Sequence, residues 1–133
     1  MPKTVKSMIE EANAAVPRIS IDEARKLIAA GDALIVDVRD APELEKTGRI
    51  AGAVHVSRGM LEFRADSDSP YHAPEFRKDR PVMVYCASGG RSALSGKLLK
   101  DMGFSTVYNL GAFKDWAESG GDIDHPIDPG MQS

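Results

Sequence analysis

The chain's only cysteine lies where a predicted buried strand, residues 81–85, runs into a predicted helix. The residues that follow Cys86 are small, then glycine, then basic and polar: Ala87, Ser88, Gly89, Gly90, Arg91 and Ser92. Glycines let the backbone curl tightly enough to aim successive N–H groups inward, where they bind an anion. Such groups at a helix N-terminus also favour the thiolate, the nucleophilic form of cysteine. The segment therefore predicts a reactive thiol in a ring of donors, with a positive charge added by Arg91.

A lone cysteine has a simpler interpretation, as a small and inert hydrophobic residue of the core. An inert cysteine needs neither a glycine pair nor an arginine after it, so the pattern favours chemistry at Cys86. Because the chain has no second cysteine, it cannot form an internal disulfide, which favours a reducing compartment.

Charged side chains also follow two other predicted strands. Asp37 and Arg39 stand at the end of the strand at 33–38, and Ser57 and Arg58 follow the strand at 53–56. Sites in open parallel sheets lie at the carboxyl ends of strands, so neighbouring strands would bring these residues to the same edge as Cys86. Two other interpretations stay open: Asp37 and Arg39 as a structural salt bridge, and Arg58 as a solvated surface charge.

The three histidines show no relation to the thiol in the sequence. A Cys–His hydrolase needs a histidine near the thiol, but nothing in the spacing brings His55, His72 or His125 there. His55 lies in an apolar strand and is expected to be a satisfied core residue. One cysteine and three scattered histidines match no metal-ligand spacing, so we expect no metal, and nothing indicates another cofactor.

Composition places the chain among globular proteins and limits its partners. Its 133 residues allow one domain, and 42% hydrophobic and 28% charged residues are typical of a packed core with a charged surface. A net charge of −3 without a basic block argues against nucleic acid as a partner. Glu10 and Glu11 interrupt any signal-peptide core, and no stretch approaches the roughly 18 apolar residues of a membrane span. We therefore predict a cytoplasmic protein with no membrane partner.

Two helices are predicted at the start of the chain. Apolar residues at helical spacing indicate a helix over 5–16, which Pro17 ends. Ser20 and Glu23 form a capping box that opens a second helix, and Gly31 is its expected C-terminal cap. Later in the chain, helices are expected over 92–102 and 111–118.

Alternation of strands and helices predicts a parallel α/β sheet with right-handed crossovers. Its strands are expected at 33–38, 53–56, 81–85 and 106–110, with a weak edge strand near residues 18–19. Residues 66–80 indicate a long surface excursion, and 122–133 a loosely held tail. We divide the chain into an N-terminal helical extension (1–17), one domain (18–120) and a tail (121–133).

Several of these motifs, in this order, resemble those of the rhodanese-like domain family. They are Asp37-Val38-Arg39 with Glu43, then 48–53, then Tyr85 to Ser92, and then 111–116. The resemblance covers residues 18–120, and its most specific part is the cysteine loop. The family often has histidine and proline where this chain has Arg49 and Ala51, and a second glycine in place of Ala112. The resemblance implies a three-layer α/β fold with a central, mostly parallel sheet of about five strands and helices on both faces.

The resemblance also implies persulfide chemistry at Cys86. Here four residues separate Cys86 from Arg91, as in rhodanese-like sulfurtransferases, whereas the related phosphatases and arsenate reductases of this fold have five. The implied activity is that of a single-domain sulfurtransferase. It moves sulfane sulfur from thiosulfate or a persulfide donor to a thiol in the cell, or to cyanide in the test tube. Residues 87–92 and Arg58 would bind the donor anion, and Asp37 and Arg39 would support the site.

The sequence also leaves other functions to be considered. The short loop disfavours a phosphatase or arsenate reductase, and the intact Cys86 disfavours a non-catalytic regulatory module. A sulfur carrier would use the same persulfide and stays open. Arg91 is expected to bind the donor, although it could instead shape the loop. The sequence names neither the physiological donor nor the acceptor, and it leaves the oligomeric state open, with a homodimer as one alternative.

Overall fold

The computed structural model of the protein describes residues 2–125. Its strands, in chain order, are β1 Leu34–Asp37, β2 Arg49–Ile50, β3 Val54–His55, β4 Val82–Cys86, β5 Val107–Ala112 and β6 Ile123–Asp124. Its α-helices are α1 Val5–Ala15, α2 Ile21–Ala30, α3 Ala41–Thr47, α4 Leu61–Ala65, α5 Gly90–Asp101 and α6 Phe113–Glu118. A 3₁₀ turn, Arg58–Met60, precedes α4.

Four parallel strands form the central sheet, in the order β3-β1-β4-β5. The predicted parallel sheet is confirmed, with four strands where about five were expected. The weak edge strand contributes one parallel bridge, between Arg18 and Asn109. It grows no further because Pro17 lacks an N–H group and α2 begins at Ile21, directly after its cap Ser20.

Helices cover both faces of the sheet, as predicted. Alternate residues of β1 and β4 point to opposite layers, and both strands are buried throughout. On one side, Val36 and Val84 pack with Leu61 of α4 and Leu99 of α5. On the other side, α2 and α6 cover the sheet, with Trp116 among the buried residues. Burying a valine or leucine side chain stabilises the fold by about 1.5–3 kcal/mol. Continuous apolar runs such as β1 and β4 therefore become central strands that are covered on both faces.

The N-terminal helices lie where the sequence predicts, but the Ser20–Glu23 capping box is only half formed, because the Glu23 carboxylate accepts the Ser20 hydroxyl rather than the Ser20 N–H. Thr4 caps α1, Ser20 caps α2 through the backbone N–H of Glu23, and Gly31 ends α2 with a φ of 89°. Helix α1 packs on α5, with Ala12 completely buried. None of the helices in residues 2–125 is long and apolar enough to cross a membrane.

Some elements were not predicted or begin elsewhere. Helix α3 has no apolar periodicity, but Asp40 and Glu43 form a capping box at its start. The turn at Arg58 and helix α4 were missed, and α5 begins at Gly90, two residues earlier than expected. The last helix begins at Phe113 rather than at Gly111, because β5 continues through Ala112.

The two irregular segments are both attached to the domain. Residues 66–80 contain no helix or strand, as expected, but Phe76 is buried and meets Phe104 edge to face at 6.2 Å. The expectation of a loose tail from residue 122 is wrong for residues 122–124. There, Trp116 Nε1 donates to the carbonyl of Asp122 at 2.9 Å, and β6 pairs with β2. The rest of the expected tail, 126–133, lies outside the described residues, and the domain boundaries stay a prediction.

Candidate active site around Cys86

Cys86 is the last residue of β4, the strand that lies between β1 and β5. It is completely buried, whereas Ala87 and Ser88, the next two residues, are exposed. The backbone N–H of Gly89 donates to Cys86 Sγ at 3.0 Å. The loop therefore turns back over the sulfur, as the sequence predicted.

The two glycines of the loop have different functions. Gly89 has a φ of 104° and is the N-cap of α5, a backbone conformation that glycine adopts without steric cost. Gly90 has an ordinary conformation, and a Cβ there would meet only Ile9 Cδ1, at 3.5 Å. The turn over the sulfur thus requires a glycine at 89, while position 90 has room for a methyl group.

Ser92, in the first turn of α5, also approaches the thiol. Its hydroxyl is buried and lies 3.5 Å from Cys86 Sγ. Burial opposes ionisation of Cys86, but donation to the sulfur by the Ser92 hydroxyl and by the backbone N–H groups of Ser92, Gly89 and Ser88 outweighs it. The balance lowers the pKa of Cys86 below that of an ordinary thiol, so the loop favours the thiolate.

Arg91 forms a two-pronged ion pair with Glu43, which links the cysteine loop to α3. Arg91 Nη1 and Nη2 each donate to one carboxylate oxygen of Glu43 at 2.9 Å. Glu43 also accepts the backbone N–H of Asp40 at 2.8 Å. Arg91 is the main cause that lowers the pKa of Glu43 to about 2, and the same pair raises the pKa of Arg91. This geometry favours the loop-shaping function of Arg91, and donor binding by Arg91 stays a prediction.

Asp37 and Arg39 form a buried ion pair, with 0% and 2% of the two side chains exposed. Arg39 Nε and Nη2 both donate to the Asp37 carboxylate, the latter at 2.7 Å. The same guanidinium donates to the Thr47 hydroxyl and the Gly48 carbonyl and lies 4.5 Å above the ring of Phe113. These contacts tie β1 to the end of α3 and to α6, so the pair supports the edge of the sheet on which the loop stands.

Arg58 follows β3, which lies on the opposite side of β1 from β4 and the cysteine loop. It begins the 3₁₀ turn after β3 and lies 3.7 Å from the carboxylate of Glu62. Strand β1 separates β3 from β4, and in the part of the chain that the structure describes Arg58 makes no hydrogen bond to the loop. Its function in donor binding stays a prediction.

Two of the three histidines contact backbone carbonyls rather than the thiol. His55 Nε2 contacts the carbonyl oxygen of Arg39 at 2.7 Å, and His72 Nε2 contacts that of Phe76 at 3.4 Å. His125 lies beside Gly48. These positions give no support for a Cys–His pair.

Two residues beside the loop were missed by sequence reasoning. The Arg18 guanidinium lies against Gly111, with its Cζ 3.1 Å from where a Cβ would stand, and next to Gly89. Within residues 2–125, the Arg18 side chain has no carboxylate partner. Asn109 is buried in β5 and hydrogen-bonded to Ser92. A polar residue inside an apolar strand was the available signal for Asn109, whereas no pattern pointed to Arg18.

Residues 20–119 match the family described as the rhodanese-like domain. The chain belongs to the rhodanese-like domain family. The match spans β1, β4, β5 and the cysteine loop, so it covers every element that positions the thiol. It confirms the family, and with it the fold, that the motifs implied.

Two relatives of this rhodanese-like chain have names that refer to sulfur transfer. GlpE of Coxiella burnetii, a thiosulfate sulfurtransferase, is 37% identical over 101 residues, which are 74% of this chain and 85% of GlpE. YrkF of Bacillus subtilis, a proposed sulfur carrier protein, is 31% identical over 108 residues, or 80% of this chain. The chain spans 54% of YrkF, about half of its length.

Solved structures with the same fold include two similar chains. A Rhodopseudomonas palustris protein, described as of unknown function and as a possible tyrosine phosphatase, is 40% identical with a TM-score of 0.83. The match covers 93% of this chain and 99% of that protein. The polysulfide-sulfur transferase homodimer of Wolinella succinogenes is 32% identical, with a TM-score of 0.73 over 96% of this chain and 92% of its own. The chain is thus similar in sequence and fold both to a sulfurtransferase and to a protein of unestablished function.

Proposed function

We propose that the protein is a sulfurtransferase that moves sulfane sulfur from thiosulfate or a persulfide donor to a thiophilic acceptor through a persulfide on Cys86. The observation that supports this most is the hydrogen bond from the Gly89 N–H to the buried sulfur, within a loop of six residues. The loop presents donors to a single anionic sulfur atom. Sulfurtransferases among the relatives support the same reaction class.

In the first half-reaction the Cys86 thiolate attacks the outer sulfur of thiosulfate. A new S–S bond forms at Cys86 Sγ, the S–S bond of thiosulfate breaks, and sulfite leaves with that electron pair. The product is a Cys86 persulfide whose negative charge lies on its outer sulfur, and no proton moves. In the second half-reaction a thiolate, or cyanide in vitro, attacks this outer sulfur and the Cys86 thiolate leaves. Two-step transfer of this kind predicts ping-pong kinetics.

The loop stabilises the charge in both half-reactions. Backbone N–H groups fixed before the reaction act on a developing anion without reorganisation, as in an oxyanion hole. We assign this function to the N–H groups of residues 87–91, in addition to the Gly89 N–H that already contacts the sulfur. Because Cys86 is completely buried, the site favours a donor that presents one protruding atom over a bulky tetrahedral group.

Arginine side chains near this edge of the sheet attract the anionic donor. Arg58 keeps the donor-binding function that the sequence implied, and Arg18, beside Gly89 and Gly111, adds a guanidinium without a carboxylate partner among residues 2–125. Arginine suits this function because it is always charged and offers several donors. Arg91 contributes through its pair with Glu43, which holds the loop in place.

Two other functions have support in the relatives. A sulfur carrier would hold the same persulfide without turnover, and the relation to YrkF favours it. A tyrosine phosphatase is favoured by the description of the Rhodopseudomonas protein. The loop of four residues between Cys86 and Arg91 argues against phosphatase activity, because a shorter ring fits one sulfur atom better than a phosphoryl group.

Intact-mass measurement after thiosulfate treatment tests the proposal. We expect a gain of one sulfur atom, about 32 Da, and thiocyanate production on addition of cyanide. Cys86→Ser should show neither, and Ser105→Ala, an equally small change at an exposed position between α5 and β5, is the control that should keep both. An adduct without turnover would identify a sulfur carrier. Hydrolysis of an aryl phosphate as fast as thiocyanate formation would contradict the proposal.

The partners follow from this reaction. We propose a small anionic sulfur donor, a thiol or cyanide acceptor, no nucleic acid and no cofactor. A homodimer, as in the Wolinella protein, is tested by light scattering, in which a monomer mass would contradict it. A cytoplasmic location stays a prediction that cell fractionation tests.

A further inference from the structure

The side chain of Asn109 is hydrogen-bonded to three elements near the thiol: helix α5, the cysteine loop and the end of β5. It is 1% exposed, and its Oδ1 accepts the Ser92 hydroxyl at 2.7 Å and the Gly111 N–H at 2.9 Å. Its Nδ2 donates to the carbonyl of Gly89 at 3.3 Å. Strand β5 carries an extra residue here, since Val84 pairs with Asn109 and Tyr85 with Gly111. The bulge follows Asn109 directly, and the Gly111 N–H beyond it lies against the amide oxygen of Asn109.

The neighbours of Asn109 fix the orientation of its amide. The backbone N–H of Gly111 is a donor, so the atom that faces it must be the amide oxygen. A flipped amide would set an NH₂ group against an N–H group and leave the Gly89 carbonyl without this donor. The atom that faces Ser92 is therefore an acceptor, and only the Ser92 hydroxyl can donate in this pair.

Ser92 has one hydroxyl proton and several acceptors around it. Its Oγ lies 2.7 Å from Asn109 Oδ1, 3.1 Å from the Gly89 carbonyl and 3.5 Å from Cys86 Sγ. When Cys86 is a thiol, its S–H can donate to Ser92 while Ser92 donates to Asn109. When Cys86 is a thiolate, the sulfur needs a proton donor, and it competes with Asn109 for the same proton.

We propose that Asn109 is a positioning residue that competes with the Cys86 thiolate for the Ser92 proton and thereby favours the persulfide over the thiolate. This inference rests on the proposed function. In the thiolate state, the Ser92 hydroxyl must break its 2.7 Å hydrogen bond to Asn109 before it can donate to the charged sulfur. In the persulfide state the charge lies on the outer sulfur, so Ser92 can donate to Asn109 without loss. Sulfur uptake releases this competition, and the only movement is rotation of one hydroxyl.

Charged groups near the loop act on the same sulfur and must stay constant in a test. They are Arg91 with its partner Glu43, and Arg18 beside Gly89 and Gly111. A neutral substitution at position 109 leaves all three charges unchanged. Any change in thiolate formation must then come from hydrogen bonds or from a general loosening of the loop.

The test replaces Asn109 by leucine, which has a similar shape and no polar atom. We expect the midpoint of the Cys86 thiolate, followed by iodoacetamide alkylation against pH, to fall by about one pKa unit because Ser92 then loses its nearest acceptor, and only the Gly89 carbonyl at 3.1 Å still competes with the sulfur for its proton. In a mixture of thiosulfate and sulfite, the ratio of persulfide to thiolate should fall about tenfold. Asn109→Ala serves as the second variant, and each variant's thermal unfolding is measured as a check that it is folded.

The Ser92→Ala background separates competition for the Ser92 proton from a general loosening of the cysteine loop. If Asn109 acts through the Ser92 proton, Asn109→Leu should leave the thiolate midpoint of Ser92→Ala unchanged. A midpoint that rises or stays constant in the single variants, or a fall that persists in the Ser92→Ala background, would overturn the inference. The alkylation midpoint needs no sulfur donor. Absence of any wild-type persulfide would therefore refute the proposed function alone and leave this measurement intact.

Discussion

Replacing Glu43 by glutamine separates the two functions that Arg91 could have. Glutamine keeps the shape of the side chain but removes the charge that holds both nitrogens of the Arg91 guanidinium at 2.9 Å. If Arg91 positions the loop, it does so through this pair, so Glu43→Gln should impair the site as Arg91→Ala does. If Arg91 binds the donor, the same change frees its guanidinium, and thiosulfate binding should improve.

The stability effect can be estimated from the geometry of the pair. Both side chains are 36% exposed, so water screens the interaction between the two charges. Two-pronged charged hydrogen bonds in partial burial contribute about 1–2 kcal/mol. Loss of that amount should lower the melting temperature by about 3–6 °C in a chain of this size. Glu62→Gln, which removes the longer 3.7 Å contact to Arg58, is the matched control and should cost no more than about 0.5 kcal/mol.

The pH dependence of this effect has a definite sign. The carboxyl of Glu43 has a folded-state pKa of about 2, lowered from 4.5. Its contribution is therefore complete above the unfolded-state pKa near 4.5 and is lost as pH falls through about 2. Urea unfolding should show the full gap between wild type and Glu43→Gln at pH near 7, and a smaller gap at pH near 3.

Steady-state kinetics with two donors complete the test. We expect Glu43→Gln and Arg91→Ala to lower kcat/KM alike for thiosulfate and for an uncharged persulfide donor. The double variant should add little to either single change, because both remove the same pair. A lower thiosulfate KM in Glu43→Gln together with a higher KM in Arg91→Ala would refute the loop-shaping function and show that Arg91 binds the donor.

The remaining predictions concern the thiol, the loop length and the buried ion pair. The thiolate midpoint of Cys86 should lie below the roughly 8.5 of an ordinary thiol, and an alkylation midpoint at or above that value would contradict the loop hydrogen bonds. One residue inserted between Gly89 and Gly90 should weaken thiocyanate formation, since five residues would then separate Cys86 from Arg91 and widen the loop around the sulfur. Unchanged turnover would contradict the argument that a short loop fits a single sulfur atom. Asp37→Asn should lower the free energy of unfolding by about 3–5 kcal/mol in urea, because it leaves the buried charge of Arg39 without its partner, and a loss below about 1 kcal/mol would contradict this.

Much of the fold could be predicted because its main elements have local signals. Strands β1 and β4 are continuous apolar runs, and α2 begins after its N-cap Ser20 and ends at Gly31 with a positive φ. The cysteine loop was predictable for a similar reason, since Gly89 marks the turn that its backbone makes. In each case the residues that determine the element are neighbours in the chain.

The missed features depend on partners far away in the chain. Strands β2 and β6 have two residues each and exist only through pairing between residues near 50 and 123. The function of Asn109 depends on hydrogen bonds to Ser92, seventeen residues earlier, and to Gly89, twenty residues earlier. Arg18 reaches the loop because one bridge to Asn109 places it at the edge of the sheet. No pattern among neighbouring residues in the sequence indicates these long-range contacts.

The contact between α1 and α5 has a consequence for how the chain can be shortened. Family similarity begins at residue 20, yet Val16 packs so closely on α5 that a Cβ at Gly96 would lie 3.0 Å from it. Ile9 reaches the first turn of the same helix at Gly90, within the cysteine loop. A chain trimmed to the family boundaries would therefore open a groove along the helix that starts at the candidate active site. Residues that precede the family match thus form one side of the surface around the thiol.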